Sequence, residues 1–146
     1  MTVRPAERRD FPPVTALLEE LGRATVTDAT RDECRAIFER HLDDPMAAHL
    51  VADEGDGRVV GFCSLHFRER LNFAAPDAWV PDLIVTAAAR RVGAGWALLS
   101  EAERLARERG CWQLTLESAH HRTDAHRLYL AFGMEDAGKM FRKPLG

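Results

Sequence analysis

The sequence predicts an α/β (α+β) domain in which a mixed sheet carries helices on both faces. Three observations predict it. Two amphipathic helical patterns precede Asp44-Pro45, a hairpin pattern surrounds Glu54-Gly55-Asp56-Gly57, and an alternation of strand, glycine loop, helix, strand and helix follows from Ala78 to Phe132. Each element has one apolar face or stripe to bury, and helices before and after a hairpin cover a sheet from both sides. The 146 residues suit one domain, spanning 1–146, with a single substantial core.

Thr2 to Arg4 makes a short opening strand closed by Pro5, and Asp10 is a candidate N-cap for the first helix. Phe11, Val14, Leu17, Leu18 and Leu21 repeat at three- and four-residue steps, which gives that helix one apolar stripe ending before Gly22. From Arg31 to Leu42, Cys34, Ile37, Phe38 and Leu42 share a second helical face until Asp44-Pro45 breaks the pattern. The period then changes to that of strands, at Ala48 to Asp53 and Arg58 to Phe67. Glu69 to Asp77 is polar and irregular, and Ala78 to Thr86 reads as one buried strand. A long helix from Trp96 carries Leu98, Ala102, Leu105 and Ala106 on one face and stops at Gly110. Trp112 to Ser118 is a further strand, Asp124 caps a short helix through Phe132, and Glu135 to Lys143 has room for one or two closing strands.

Composition narrows the function. Hydrophobic residues at 46% and charged residues at 29% are those of an ordinary globular chain, and a net charge of -3 lacks the basic excess that nucleic acid or an anionic membrane attracts. No apolar run approaches a membrane span and Met1 to Asp10 lacks an apolar signal core, so a cytoplasmic location is expected. Cys34, Cys63 and Cys111 are odd in number and widely spaced, as reduced thiols rather than a disulfide framework or a metal site.

The informative segment is Ala87 to Gly95. Backbone amides freed by glycines at the mouth of a helix form an anion-binding cradle, to which Arg90 and Arg91 add positive charge. A phosphate or pyrophosphate suits it. A glycine turn that merely connects strand to helix is the alternative reading of the same residues. No Gly-Lys-Ser/Thr follows, so it is not a P-loop, and the third glycine of the dinucleotide fingerprint is missing.

Arg90-Arg91-Val92-Gly93-Ala94-Gly95, with Asp124 to Tyr129 and then Phe132-Gly133-Met134, resembles the signature of the GNAT superfamily of acetyl-CoA-dependent N-acetyltransferases. The likeness follows the element order of the whole chain and is specific from Val80 onward. It implies a mixed, mostly antiparallel sheet of about six or seven strands flanked by about four helices. It also implies transfer of an acetyl group from acetyl-CoA to a primary amine, most simply of a small molecule, by direct attack in a ternary complex. The pantetheine would pair like an added strand with Leu83, Ile84 and Val85, which demands no particular side chain. The pyrophosphate site would comprise Arg91, Val92, Gly93, Ala94, Gly95 and Trp96, with Arg90 beside it. Tyr129, the one tyrosine, would protonate the departing thiolate as general acid. Arg122 stands where many members carry Asn. The string from Ser118 to Tyr129 instead looks like the aminoalkylphosphonate N-acetyltransferase subgroup, which would favour a small primary amine with an anionic tail.

Asp82 and Glu117 are the candidate bases for the acceptor ammonium, and Pro81 occupies the place where some relatives carry a strand acid. His120 and His121 are candidate proton relays or parts of a polar loop. Together with His126 they lack diagnostic metal-ligand spacing, so no required metal is expected. Asn72, Phe73, Trp79 and Arg122 are candidate acceptor contacts, and Arg68 and Arg70 could grip an anionic group or form a solvated face. Dimerisation is common for this resemblance, and an edge strand near Glu135 to Lys143 could contribute to it. Two other functions share the motif: a catalytically silent acyl-CoA sensor or interaction module, against which Tyr129 argues, and an acetyltransferase of protein amines.

Overall fold

In the computed structural model, strand β1 (Thr2–Pro5) leads through a 3-10 turn (Arg8–Asp10) into helix α1 (Phe11–Glu20). The structure describes residues 1–20, 22, 26–120 and 122–146, so Leu21, expected on the apolar stripe of α1, and His121 lie outside the described residues. Phe11, Val14 and Leu17 are buried along α1 as their spacing requires. Asp10 is not the N-cap of α1. Its buried carboxylate instead accepts hydrogen bonds from the Arg4 guanidinium at 2.8 and 2.9 Å and from the Glu7 N–H at 2.7 Å, and Asp53 takes the Arg4 Nε. Helix α2 (Arg31–Asp43) buries Phe38 with Cys34 and Leu42 against it, whereas Ile37 turns outward and is exposed.

The hairpin forms with the expected turn, but its second arm is interrupted, and so is the following arm that pairs with it. β2 (Leu50–Asp53) pairs antiparallel with β3 (Val59–Cys63), and β3 pairs with β6 (Leu83–Val85). Beyond the interruption, β4 (His66–Arg68) pairs with β5 (Asp77–Val80), which pairs parallel with β7 (Leu114–Leu116). Two sheets result, in the orders β1-β2-β3-β6 and β4-β5-β7. The single strand expected over Ala78 to Thr86 is therefore two, and the one expected over Arg58 to Phe67 is also two.

The cause is local. Pro81 has no N–H to continue a ladder, and across from it Leu65 gives its N–H to the His49 ring rather than to a strand. Ser64 and Asp82 clip the two broken arms together: the Ser64 N–H donates to the Asp82 carbonyl at 2.9 Å, and the Asp82 N–H to Ser64 Oγ at 2.8 Å.

After β6 comes a one-turn helix α3 (Ala87–Arg90) and then α4 (Ala94–Glu108), which starts two residues earlier than Trp96. One face of the β1-β2-β3-β6 sheet packs Val60, Cys63 and Val85 against Leu98 and Ala102 of α4, and the other packs Val51, Phe62 and Ile84 against α1 and α2. At Gly61 the helix comes so close that an added Cβ would lie 3.0 Å from Leu98 Cδ1. A side chain there would also lie 3.3 Å from Ala52 Cβ and from the Ile84 carbonyl, so the packing of Leu98 and its neighbours would have to give.

These elements form one compact unit, Met1–Leu116, and Glu117–Gly146 forms a second. The second unit contains α5 (Thr123–Ala131), in whose first turn Asp124 lies, with Arg122 at the cap position in its place. Residues 134–146 contain neither helix nor strand, so the closing strands expected over Glu135 to Lys143 are not formed, nor the edge strand expected there for dimerisation. Glycine at 138 and proline at 144 interrupt the segment, and its apolar residues Met140, Phe141 and Leu145 are exposed rather than packed on one face of a strand. Among the described residues, seven strands in two sheets and five α-helices agree with the expected mixed α/β architecture.

Candidate active site

In the first unit, two backbone features meet at the end of β6. The first is the strand itself, which ends its sheet. Antiparallel geometry turns alternate residues toward the partner strand, and the Thr86 N–H bond to the Val60 carbonyl at 2.9 Å sets the phase. Ile84 therefore bonds inward to Phe62, while the backbone groups of Leu83 and Val85 point to the outer edge. β7 does not cover that edge, because it pairs with β5 on the far side of the break.

The second feature is the entry to α4. Thr86 Oγ1 caps α3 by accepting the Ala89 N–H at 3.3 Å, and Arg90 Nε donates back to the Val85 carbonyl at 3.2 Å. The chain then turns through Arg91 and Val92 to Gly93, which takes φ 80° and ψ 25°. That left-handed conformation is the reason for glycine here, since nothing lies within 4 Å of the place where a Cβ would be. The first helical bond of α4 runs from the Ala97 N–H to the Gly93 carbonyl at 3.0 Å. The amides of Ala94, Gly95 and Trp96 precede it and face the helix mouth with the positive end of the helix dipole. An open depression of about 320 Å³ lined by Ala87, Ala88 and Arg91 adjoins the turn. Backbone amides at a helix mouth, a neighbouring arginine and open space together suit a phosphate-bearing ligand. Sequence reasoning placed Gly95 in the loop with Gly93, whereas Gly95 is buried within the first turn of α4.

The candidate acceptor residues of this unit have separate partners. Phe73 stacks on Trp112 with ring centroids 4.3 Å apart, and Asn72 is exposed beside it. Trp79 lies between the Arg68 guanidinium, 4.7 Å from its ring, and His66, 5.8 Å away. Arg68 is committed to the buried Asp77 by two hydrogen bonds of 2.9 and 3.0 Å, so its charge is already matched, while Arg70 approaches Asp77 only at 3.9 Å. Cys63 is fully buried, and burial, with the Asp82 charge, pushes its thiol up to about 12, far from a nucleophilic thiolate.

In the second unit, Tyr129 lies on α5 and its carbonyl accepts the Met134 N–H at 3.0 Å. Glu117, Arg122 and His126 belong to the same unit, with His126 Nε2 3.1 Å from Ser118 Oγ.

The histidines that come together are not those weighed from the sequence. Among the described residues, His41, His49 and His66 bring ring nitrogens within 4.8 Å of one another. A signal for two of them was present in the hairpin. With Leu50 opposite Cys63, His49 falls opposite Ser64 and diagonal to His66 on the same face.

Comparison with known proteins agrees with this geometry. Residues 11–134 match the model of the acetyltransferase (GNAT) family. The chain is 33% identical to an aminoalkylphosphonate N-acetyltransferase of Salmonella typhimurium over 98% of its own length and 90% of that protein's. It is 29% identical to an aminoglycoside N(6')-acetyltransferase type 1 of Klebsiella aerogenes, over 98% and 96% of the two chains. Among solved structures, an aminoglycoside N-acetyltransferase, AAC(6')-Iy, in complex with CoA shares the fold with a TM-score of 0.76 at 18% identity, covering 99% of this chain and all of that one. An N-acetyltransferase signature on the strand, turn and helix that it requires, and a family match across most of the sequence, place this chain in the acetyltransferase (GNAT) family.

Proposed function

We propose that the chain transfers the acetyl group of acetyl-CoA to a primary amine of a small molecule, by direct attack of the amine on the thioester in a ternary complex. The observation that carries this reading is the pairing of an open β6 edge with the amide-lined mouth of α4. Leu83 and Val85 would hold the pantetheine amides by strand addition. Arg91 to Trp96 would hold the pyrophosphate, with Arg90 fixing the turn through Val85. Bound there, acetyl-CoA supplies an activated acyl carbon. No acyl-enzyme is needed, in keeping with the burial of Cys63.

Tyr129 donates the proton that the departing thiolate takes up, and Asp82 and Glu117 are the acids available on the acceptor side. Asn72, Phe73 and Trp79 of the first unit, and Arg122 of the second, are the side chains that the family resemblance offers as acceptor contacts. The relatives' names point to polar amines, an aminoglycoside in one case and an aminoalkylphosphonate in the other. Three free cysteines fit a reducing cytoplasm, and no helix among the described residues is long and apolar enough to cross a membrane. No metal is required for this chemistry.

The test is release of CoA thiol by the purified chain with acetyl-CoA and a panel of small amines. Tyr129→Phe should lower the amine-dependent rate roughly 100-fold while acetyl-CoA still protects the fold against heat. An unchanged rate would remove Tyr129 from the mechanism, and absence of both release and protection would overturn the reading as a whole.

A further inference from the structure

The three-histidine cluster lies on the α1 and α2 face of the sheet, at the point where the hairpin breaks. His41 comes from the last turn of α2, His49 precedes β2, and His66 opens β4. Its hydrogen bonds settle how protons are distributed. The Leu65 N–H donates to His49 Nδ1 at 3.1 Å, so that nitrogen presents a lone pair and the proton of neutral His49 sits on Nε2. His49 Nε2 is 3.0 Å from His41 Nδ1, which must therefore accept. Two of the three rings thus have their acceptor nitrogens occupied, in a chain running from the Leu65 amide through His49 to His41.

That order works against a metal ion. To ligate through Nε2, a neutral His49 would carry its proton on Nδ1, where it would face the Leu65 N–H donor to donor. Leu65 is fully buried and, among the described residues, its amide bonds to His49, so giving up the bond is costly.

His66 is the remaining member. It is half-buried, and it is the one that also contacts Trp79, the residue expected to border the acceptor. It stands two residues past Ser64, the residue clipped to Asp82. Resting on the acetyl-transfer reading above, we infer that His66 is the general base: its unprotonated ring nitrogen takes a proton from the acceptor ammonium, with His49 and His41 fixing its position.

The step balances without a further reactant. The N–H bond of R–NH3+ breaks toward His66, giving imidazolium and R–NH2. The amine lone pair forms the C–N bond to the thioester carbon, and the C–S bond breaks toward sulfur. The second nitrogen proton, lost as the amide forms, restores the one that Tyr129 gives to the thiolate in the proposed mechanism, and His66 returns its proton to solvent.

The groups facing His66 suit this role. Burial, His41 and the Arg68 charge favour the neutral ring, while Asp44 and Asp82 oppose them, and the net effect holds His66 below the ordinary histidine range. It is therefore unprotonated at neutral pH, and the Asp82 charge would stabilise the imidazolium when it forms. Asp82 becomes a positioning and electrostatic partner instead of the base itself.

The experiment compares wild type with His66→Gln, using 2-aminoethylphosphonate and an aminoglycoside carrying a 6'-amine as acceptors and following CoA thiol release from pH 5 to 10. A roughly 100-fold loss of kcat/KM is expected at pH 7, shrinking as pH rises and the free amine becomes abundant without a base. The acid limb of the wild-type profile should vanish in the variant. Acetyl-CoA should protect both proteins equally against thermal unfolding, which separates loss of a base from loss of the fold. Wild-type release that is undiminished in the variant, or a loss independent of pH, overturns the assignment and leaves the acetyltransferase reading standing. Stoichiometric binding of zinc ion in calorimetry, abolished by His66→Gln, overturns it in favour of a metal site. Absence of release from wild type with both acceptors overturns this inference together with the small-amine reading.

Discussion

The turn from Thr86 to Trp96 and the cluster of His41, His49 and His66 are both built around unusual hydrogen bonding, yet they are built from opposite materials. The turn is one contiguous segment, and what it offers a ligand is mainly backbone: the outer edge of β6 and the first amides of α4. The cluster draws single side chains from three places in the chain, and its backbone contribution is one amide, that of Leu65. A site made of backbone tolerates change in most side chains but not in backbone conformation. A site made of side chains is sensitive at each ring and indifferent to the chain between them.

The sharpest way to test the backbone side is Gly93→Val. A β-branched residue held at φ 80° costs about 2 kcal/mol, and the strain falls on the turn that aims the α4 amides. Urea unfolding should show that loss, and acetyl-CoA affinity should drop roughly tenfold or more, measured by calorimetry. Retention of full affinity would mean that the amides of α4 do not hold the ligand, which removes the contrast between the two regions.

The cluster predicts a dependence on pH that the turn lacks. Burial above all, and then the neighbouring His66 and His41, push His49 down to about 3. Its folded value lies below the unfolded one, so its stabilising effect is complete above the unfolded value near 6.5 and is lost as pH falls from there toward about 3. At pH 5.5 that single group should cost about 1.3 kcal/mol relative to neutral pH. His66, also lowered, acts in the same direction. In His49→Gln, where the amide oxygen can still accept the Leu65 N–H, urea unfolding between pH 7 and 5.5 should lose about that much of its slope. A slope identical to wild type would place the acid sensitivity elsewhere, at His66 for instance, but not at Asp10. There burial raises the carboxyl, but the Arg4 and Glu7 hydrogen bonds outweigh it and hold the group low, so its stabilising effect is lost only below the ordinary aspartate range.

The same contrast explains what could be read in the sequence. The helices, the turn at residues 54–57 and the strand, turn and helix around Gly93 are local, and their periodicity and glycines state them directly. The breaks at Ser64-Leu65 and Pro81-Asp82 were hidden, because apolar residues flank both interruptions closely and mimic continuous strands. Pro81 carried the warning, since it cannot donate to a ladder, and its effect on the facing strand depends on a register that periodicity does not supply. Phe73 and Trp79 could be named as aromatics near an acceptor, but that one stacks on Trp112 and the other on Arg68 and His66 follows only from the folded loop. The histidine cluster was least visible of all, because residues 41, 49 and 66 obey no motif spacing. Conversely, His120 and His126 drew attention by proximity in sequence, although the partner found for His126 is Ser118.

The smallest expected effect separates backbone from charge within the turn itself. Arg91 lines the open depression beside Ala87 and Ala88 and is exposed, so its attraction for a phosphate acts through water and is screened by salt. Arg91→Ala should weaken acetyl-CoA binding only about threefold at low ionic strength, and the difference should nearly disappear at roughly 0.5 M salt, because the Ala94, Gly95 and Trp96 amides are left in place. Fold stability should be unchanged. A loss well beyond tenfold that persists in high salt would show that a side chain, not the helix mouth, grips the ligand, and the turn would then belong with the cluster as a site built from side chains.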